Sequence, residues 1–156
     1  MCGRGAHGQV GNLAYQDEPQ PFFISKIPDK VQEVACGEDH TVVLTRSGEI
    51  YTMGSNAKGQ LGTGPPSRGQ NVPCLLKELS FIRMTKVRAG SFSAAVSVDN
   101  QLYIWGCGAF GEFYTPHRVK SVQSLDFADL QIGRSGFVAL LTRQGQVFTW
   151  GLNEQG

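Results

Sequence analysis

A glycine-rich phrase recurs through this chain at a regular interval. It reads CGRGAHGQVG at residues 2–11 and returns at residues 53–62, 105–113 and 150–156. The leading glycines of successive copies lie 51, 52 and 45 residues apart. Such a period is typical of a repeat architecture, in which each unit is a small sheet that cannot bury its apolar face alone.

A second phrase keeps step with the first one. Residues 34–37, 87–90 and 130–133 each end in glycine and are each followed by a short apolar run. This second glycine lies 17, 16 and 18 residues before the next leading glycine, whereas the remaining part of the period measures 34, 36 and 27 residues. Packed strands cannot change length without turning their faces over, but surface connections can. The constant half therefore predicts core strands, and the variable half predicts loops.

The constant half has the pattern of a β-hairpin. Residues 45–49 and 142–146 are polar connections that contain glycine, and residues 98–101 form a connection one residue shorter. Each is followed by a strongly β-favouring run ending at Met53, Trp105 or Trp150. No window has a 3.6-residue apolar period long enough for a helix. The sequence therefore predicts an all-β chain.

The two phrases together resemble the repeat of the regulator of chromosome condensation family. The frame is Gly-x-x-His, then Leu-Thr-x-x-Gly before two β-favouring residues, then Trp-Gly-x-Asn-x-x-Gly-Gln-Leu-Gly. Its best match is the set Gly37, His40, Leu44, Thr45, Gly48, Ile50, Tyr51, Gly54, Asn56, Gly59, Gln60, Leu61 and Gly62. The resemblance implies a β-propeller of four-stranded blades around a central axis, with seven blades usual in that family.

On this resemblance, residues 1–156 are a partial propeller of about three four-stranded blades. The units are expected at approximately 3–53, 54–105 and 106–150, with residues 151–156 beginning the next. Three units are less than half of a seven-bladed ring. An open stack of blades exposes an apolar sheet at each end, which predicts that further blades or another subunit cover those ends.

The resemblance implies structural roles for the recurring residues. For His40 it implies a hydrogen bond from the imidazole to the backbone of a neighbouring turn. Departures from the frame indicate a divergent member or a fragment: Met53 and Cys2 replace Trp, Ser93 and Gly136 replace His, and Tyr114 replaces the last Gly. The structural positions are Gly37, His40, Gly48, Gly54, Gly59, Gly62, Gly90, Trp105, Gly106, Gly111, Gly133, Gly145, Trp150 and Gly151.

Composition limits the classes of partner. Fourteen basic and 13 acidic residues nearly cancel, which argues against nucleic acid or a membrane surface as a general partner. No apolar stretch is long enough to span a bilayer. Cys2, Cys36, Cys74 and Cys107 have no metal-ligand spacing. They predict buried or partly buried free thiols in a reducing intracellular compartment, cytoplasmic or nuclear, with cytoskeletal association as a further option.

Two glycine runs imitate nucleotide-binding motifs. Residues 3–8 and 106–111 both match G-x-G-x-x-G, but each falls in the turn of the repeat, and no helix follows to receive a pyrophosphate. Residues 54–59 resemble a phosphate loop, but Gln60 stands where its lysine belongs. We therefore predict no catalytic residue, no cofactor and no metal.

Three surface stretches are candidates for binding a partner protein. The first is the turn-rich loop 63–71 with Arg68, and the second is a basic group of Arg83, Lys86 and Arg88. The third mixes aromatic and cationic residues where the third unit has lost residues, and such mixtures are enriched at binding hot spots. Its candidates are Phe113, Tyr114, His117, Arg118 and Lys120.

Two functions fit the sequence. One is a non-enzymatic scaffold whose blades and loops hold partner proteins. The alternative, which the resemblance implies, is guanine-nucleotide exchange on a small Ran-like GTPase, with this chain belonging either to the exchange factor or to its regulatory propeller. Exchange needs a wedge-like insertion, and neither residues 63–88 nor residues 112–132 offers an evident one. The partner for the alternative would be the GTPase itself.

Overall fold

The computed structural model describes residues 2–108 and 110–151, which are nearly all β. The strands, in chain order, are β1 Val31–Cys36, β2 His40–Thr45, β3 Ile50–Asn56, β4 Ser67–Leu75, β5 Met84–Ala89, β6 Ser93–Ser97, β7 Leu102–Gly108, β8 Gly111–Arg118, β9 Phe127–Ile132, β10 Val138–Thr142 and β11 Val147–Trp150. Two short 3-10 turns, Lys77–Leu79 and Lys120–Val122, precede β5 and β9. The all-β prediction is confirmed.

The strands form three antiparallel sheets, which we call the first, second and third blades. Their strand orders are β1-β2-β3-β4, β5-β6-β7-β8 and β9-β10-β11, the last having three strands within the described residues. The three predicted hairpin connections join β2 to β3, β6 to β7 and β10 to β11. The predicted unit boundaries at 53/54 and 105/106 fall inside β3 and β7. The sequence unit and the sheet therefore have the same period but begin at different residues.

Apolar layers between successive blades form the core. Val42, Leu44 and Ile50 of the first blade pack with Val87 and Trp105 of the second. A corresponding layer between the second and third blades contains Val96, Leu102, Leu130 and Leu140. Each blade thus buries one face only because its neighbour supplies the opposite half.

The first two glycine-rich turns each lie against an apolar side chain of the following blade. A Cβ built on Gly62 would lie 2.7 Å from Cδ1 of the Trp105 ring, and Gly11 stands in the same relation to Met53. Leu61 beside Gly62 is completely buried. Met53 therefore occupies the position of Trp105, which explains why methionine can replace tryptophan there.

The position of His40 is filled by phenylalanine in the other two blades. His40 pairs with Gly54, whereas Ser93 pairs with Trp105, one residue before the equivalent Gly106. Phe92 lies against Gly106, and Phe137 against Gly151. The expectation that Ser93 and Gly136 replace the histidine is therefore wrong. The turns that follow Gly37, Gly90 and Gly133 differ in length. An alignment without gaps therefore places the wrong residue opposite His40.

The third copy of the phrase folds as a tight hairpin rather than a loop. Gly108 pairs with Gly111, whereas its counterpart Asn56 pairs with Ser67. Gly111 thus opens β8, and Tyr114 lies within that strand. The alignment of Gly111 with Gly59 and of Tyr114 with Gly62 does not hold, because the shorter segment has too few residues for the loop.

Both ends of the blade stack expose apolar residues, as predicted. Val34 of β1 is 49% exposed, whereas Val87 at the same position of the second blade is 0% exposed. At the other end Val147 is 67% exposed, whereas its first-blade counterpart Ile50 is 1% exposed. The open face of the first blade is partly covered, because Ile24 and Ile27 pack against Val43, Tyr51 and Met53. Within the described residues, Val34 and Val147 lack the cover that their counterparts receive.

We expect the Gly62→Ala substitution to lower the free energy of unfolding by about 3 kcal/mol. Its φ of +73° costs about 1 kcal/mol for alanine, and overpacking against Trp105 adds about 2 kcal/mol. The control is Gly145→Ala, whose φ is +81° and whose Cβ would have no neighbour within 4 Å. Chemical denaturation measures both variants, and equal losses would contradict the turn contact.

Candidate protein-interaction surfaces

Arg88 joins the inner strands of all three blades. Its Nη1 lies 2.6 Å from Oε1 of Glu33 on β1, and its Nη2 lies 2.5 Å from Oδ1 of Asp129 on β9. Its Nε donates to the carbonyl oxygen of Leu130 at 2.7 Å. Glu33 uses its other oxygen to accept the backbone N–H of Val87 at 2.9 Å. These bonds, which we call the axial staple, link β1, β5 and β9, the first strand of each blade.

The electrostatics of this cluster follow from its contacts. Partial burial alone would lower the pKa of Arg88, but its hydrogen bonds to Glu33 and Asp129 raise the pKa above the usual value. Burial would raise the pKa of Asp129, but the backbone N–H of Leu130 and the guanidinium hold it below its usual value. Arg88 and Asp129 therefore stay charged over the physiological range.

Lys86 and Arg88 share one face of β5, since the segment is an extended strand as the prediction required. Only Arg88 reaches the carboxylates. Among the described residues, no carboxylate oxygen lies within 4.0 Å of the Lys86 ammonium. Arg83 lies just before β5, where its carbonyl oxygen accepts the Val98 N–H at 2.9 Å. The basic group is thus divided between the axis and one end of the hairpins.

His40 connects the first blade to the second. Its Nε2 lies 2.7 Å from the Ser93 hydroxyl, and that hydroxyl donates to the carbonyl oxygen of Gln60 at 2.8 Å. The implied bond to backbone is therefore made indirectly, through a side chain. Burial lowers the pKa of His40 from 6.5 to about 4, although Asp39 opposes this. His40 is a neutral structural group.

The aromatic residues of β8 lie on its two opposite faces. Phe113 stacks on His117, with ring centroids 4.1 Å apart and planes inclined by 10°. Tyr114 lies against Gly59 of the preceding turn. Its hydroxyl donates to Glu112 at 2.6 Å, and this bond raises the pKa of Tyr114.

The cationic residues of this stretch lie at its far end. Arg118 Nε donates to Gln101 at 2.9 Å. Lys120 begins the following 3-10 turn. The structure therefore brings Phe113 and His117 together but separates them from Tyr114 and Lys120.

Arg68 belongs to a strand as well as to the predicted loop. β4 begins at Ser67, so the loop within residues 63–71 is shorter than the sequence suggested. The Arg68 guanidinium lies 4.3 Å from the centroid of the Tyr15 ring. This cation–π contact joins β4 to the segment that follows the first glycine-rich phrase.

Sequence reasoning missed Phe81, whose side chain is 97% exposed. It lies between the 3-10 turn Lys77–Leu79 and β5. The same turn contains Leu79, which is buried, and Ile82, which is partly buried, so the sequence alone does not mark Phe81 as the exposed apolar residue. The available clue was the large aromatic side chain beside two cations, Lys77 and Arg83.

The four cysteines differ in exposure, and one of them lines a polar cleft. Cys74 and Cys107 are partly buried as predicted, but Cys2 and Cys36 are exposed, and Cys36 lines the cleft. A polar cleft of about 530 Å³ near Cys36 is lined by arginines and carboxylates together.

Within residues 2–108 and 110–151, no His, Cys, Asp and Glu side chains are grouped as metal ligands. That part of the chain also contains no helix able to cross a membrane.

Comparison with known families gives a consistent result. Two profiles of the regulator of chromosome condensation (RCC1) repeat match the chain, one at residues 31–60 and the other at residues 1–44 and 47–96. The serine/threonine-protein kinase Nek9 of Mus musculus is 32% identical over 97% of the chain, which spans 16% of that kinase. The E3 ubiquitin-protein ligase HERC2 of Homo sapiens is 32% identical over 96% of the chain, which spans 3% of that ligase.

Solved structures share the fold at lower identity. Human WBSCR16 superposes with a TM-score of 0.81 and 23% identity, covering 96% of this chain and 42% of its own. Prp20p of Saccharomyces cerevisiae has a TM-score of 0.81 and 21% identity, covering 99% of this chain and 41% of its own. That protein was described with its binding to Gsp1p and histones. At these identities the likeness establishes the fold.

The buried neutral His40 predicts an acid-labile joint between blades. Because the pKa of His40 is lowered in the folded state, the unfolded chain binds a proton at pH values at which His40 of the folded chain stays neutral. The contribution of neutral His40 to the free energy of unfolding is therefore fully present above pH 6.5 and is lost as the pH falls toward about 4. The expected loss is about 3 kcal/mol, measured by denaturation at a series of pH values.

The His40→Gln variant should lack this part of the pH dependence, although it is less stable throughout. His117→Gln alters an exposed histidine and should retain the wild-type profile. A His40→Gln profile that runs parallel to wild type would refute the assignment.

Replacing Arg88 tests the axial staple. We expect Arg88→Met to lower the free energy of unfolding by about 2 kcal/mol, because Glu33 and Asp129 lose their partner while partly buried. Lys86→Met on the same face serves as the control and should cost less than about 0.5 kcal/mol. Equal stability of the two variants would show that the staple contributes nothing.

Proposed function

The chain belongs to the regulator of chromosome condensation repeat family, and we propose that it is part of a non-enzymatic scaffold that holds partner proteins. The observation that carries this proposal is the stacked Phe113–His117 pair on β8, with Arg118 exposed on the same strand. Phe113 is partly buried against the apolar layer between the second and third blades, whereas His117 and Arg118 are exposed. Aromatic and arginine side chains on a rigid sheet are typical of protein-binding hot spots. The apolar layers between blades make that sheet rigid.

The proposal includes the neighbours of these three blades. Further blades, from more of the same protein or from another subunit, cover the apolar faces at Val34 and Val147. The exposure of these positions, against full burial of their counterparts, supports this arrangement. So does the greater length of the relatives, since the chain spans no more than about a sixth of Nek9 and a smaller part of HERC2.

Guanine-nucleotide exchange on a small GTPase is the second candidate. It is favoured by the fold shared with Prp20p, which binds Gsp1p. It is disfavoured by the loops of the described residues. The second glycine-rich loop is held against Trp105, and the third is a tight hairpin, so neither projects as a wedge.

The free cysteines support a reducing intracellular location for either function. Cys2 and Cys36 are exposed and unpaired, and such thiols persist where glutathione keeps them reduced. We propose the cytoplasm or the nucleus, with attachment to the cytoskeleton through a partner protein as a further option.

The scaffold proposal is tested by partner capture with the full-length protein. We expect the double variant Phe113→Ala/His117→Ala to reduce the amount of at least one direct partner recovered by quantitative cross-linking about tenfold, because the stacked pair anchors that partner. Gln144→Ala alters an exposed residue of another connection and should retain that partner. An unchanged set of partners would reject β8 as the binding surface.

Nucleotide release from a panel of small GTPases separates the two functions. We expect the full-length protein to leave the rate of nucleotide release unchanged for every member. Acceleration for any member would replace the scaffold proposal with exchange.

A further inference from the structure

The hairpin connections and the segments that precede the inner strands lie together at one end of the blades. We define this hairpin end as residues 26–30, 45–49, 77–83, 98–101, 119–126 and 142–146. Met84 N donates to the Gly48 carbonyl oxygen at 3.0 Å, linking the first blade to the second. Asn100 Nδ2 donates to the Leu125 carbonyl oxygen at 2.5 Å, linking the second to the third. The hairpin end is therefore one continuous surface.

The hairpin end carries two more basic than acidic residues. Its cations are Lys26, Lys30, Arg46, Lys77, Arg83, Lys120 and Arg143, and its acids are Asp29, Glu49, Glu78, Asp99 and Asp126. Asp126 is paired with Arg143 at 3.1 Å. Asp29 accepts the backbone N–H groups of Lys30 and Ser47 at 2.7 Å and 2.9 Å. Among the described residues, Arg143 is the one cation of this set with a carboxylate oxygen within 4.0 Å.

The opposite end of the blades carries both signs of charge and is not basic. Its glycine-rich turns hold Glu38, Asp39 and Glu112 together with Arg4, Lys58 and Arg134, and Arg134 lies 3.7 Å from Glu38. The chain is thus nearly neutral as a whole but has one basic end. A basic surface on a neutral molecule steers and orients an acidic partner.

The second blade adds apolar surface to this charge. Phe81 is 97% exposed and Val98 is 58% exposed. Arg83 follows Phe81 by two residues, and its carbonyl oxygen accepts the Val98 N–H at 2.9 Å, which makes both residues its neighbours. In the third blade the positions of Arg83 and Val98 hold Asp126 and Arg143, which neutralise each other. The unpaired cation with apolar neighbours is therefore a feature of the second blade that the third blade lacks.

We propose that the hairpin end of the second blade binds an acidic segment of a partner protein, with Arg83 and Lys77 contacting its carboxylates and Phe81 an apolar side chain. The proposal rests on the scaffold function but uses a surface distinct from the Phe113–His117 stack. A protein segment fits better than nucleic acid, because Glu78 and Asp99 lie within the same surface and would repel a continuous phosphate backbone.

The test measures binding of a fluorescein-labelled peptide of alternating glutamate and leucine to the full-length protein. We expect saturable binding that weakens between about 0.05 and 0.5 M salt. Lys77→Glu/Arg83→Glu should weaken it about tenfold. Phe81→Ser should weaken it about threefold while leaving its salt dependence unchanged.

The matched control is a double charge reversal at the opposite end of the blades. Arg4→Glu/Lys58→Glu changes the net charge by the same amount and should leave the affinity within about twofold of wild type. Unaltered circular dichroism spectra and melting temperatures confirm that all variants are folded. Equal weakening by the control, or no binding to the wild type, would overturn the proposal. Tighter binding of a short duplex DNA than of the peptide would overturn it in favour of nucleic acid.

These failures are separate from failure of the scaffold function. If the peptide does not bind but partner capture still depends on Phe113 and His117, only the hairpin-end proposal falls. If the peptide binds and no partner depends on the stack, the hairpin end is the interaction surface instead.

Discussion

The contact between each glycine-rich turn and the following blade is the interaction on which the architecture depends. A four-stranded sheet of this size cannot bury its own apolar face, so the angle between neighbouring sheets decides whether a core exists. Gly62 against Trp105 sets that angle at the joint between the first and second blades, and Gly11 makes the same contact with Met53 of the first blade. The Arg88 bonds set it beside the axis. Between these two points the apolar layers are held at close-packed distance.

The repeat made the fold predictable, whereas small changes of turn length made residue equivalences unpredictable. Constant spacing in one half of the period identified the hairpins, because strands tolerate no insertion. The same reasoning placed Ser93 and Gly136 at the histidine position, where the structure has Phe92 and Phe137. A turn that gains or loses one residue leaves the sheet intact but shifts the alignment. Register is decided by strand pairing, which sequence spacing reports only indirectly.

The candidate surfaces were less predictable, because they are assembled from distant parts of the chain. Arg88 looked like a free surface cation, but its carboxylate partners lie on β1 and β9, in the two neighbouring blades. Phe81 was passed over because the sequence alone does not distinguish it from Leu79 and Ile82 of the same turn, which are buried or partly buried. Net charge near zero gave no warning that the cations collect at one end. Composition counts charges, and only the fold distributes them.

The third copy shows how such a scaffold can acquire a new surface without losing its core. Removal of the loop would leave a gap beside Trp150, but Phe110 in the hairpin fills it, 5.8 Å from the Trp150 ring and 5.4 Å from Phe92. The joint between blades is therefore kept by a different residue. The outer strand freed from loop formation, β8, carries the Phe113–His117 stack. The stability of the repeat depends on the contacts between blades. Substitutions in the outer strand and the turns can therefore change the binding surface without loss of the core.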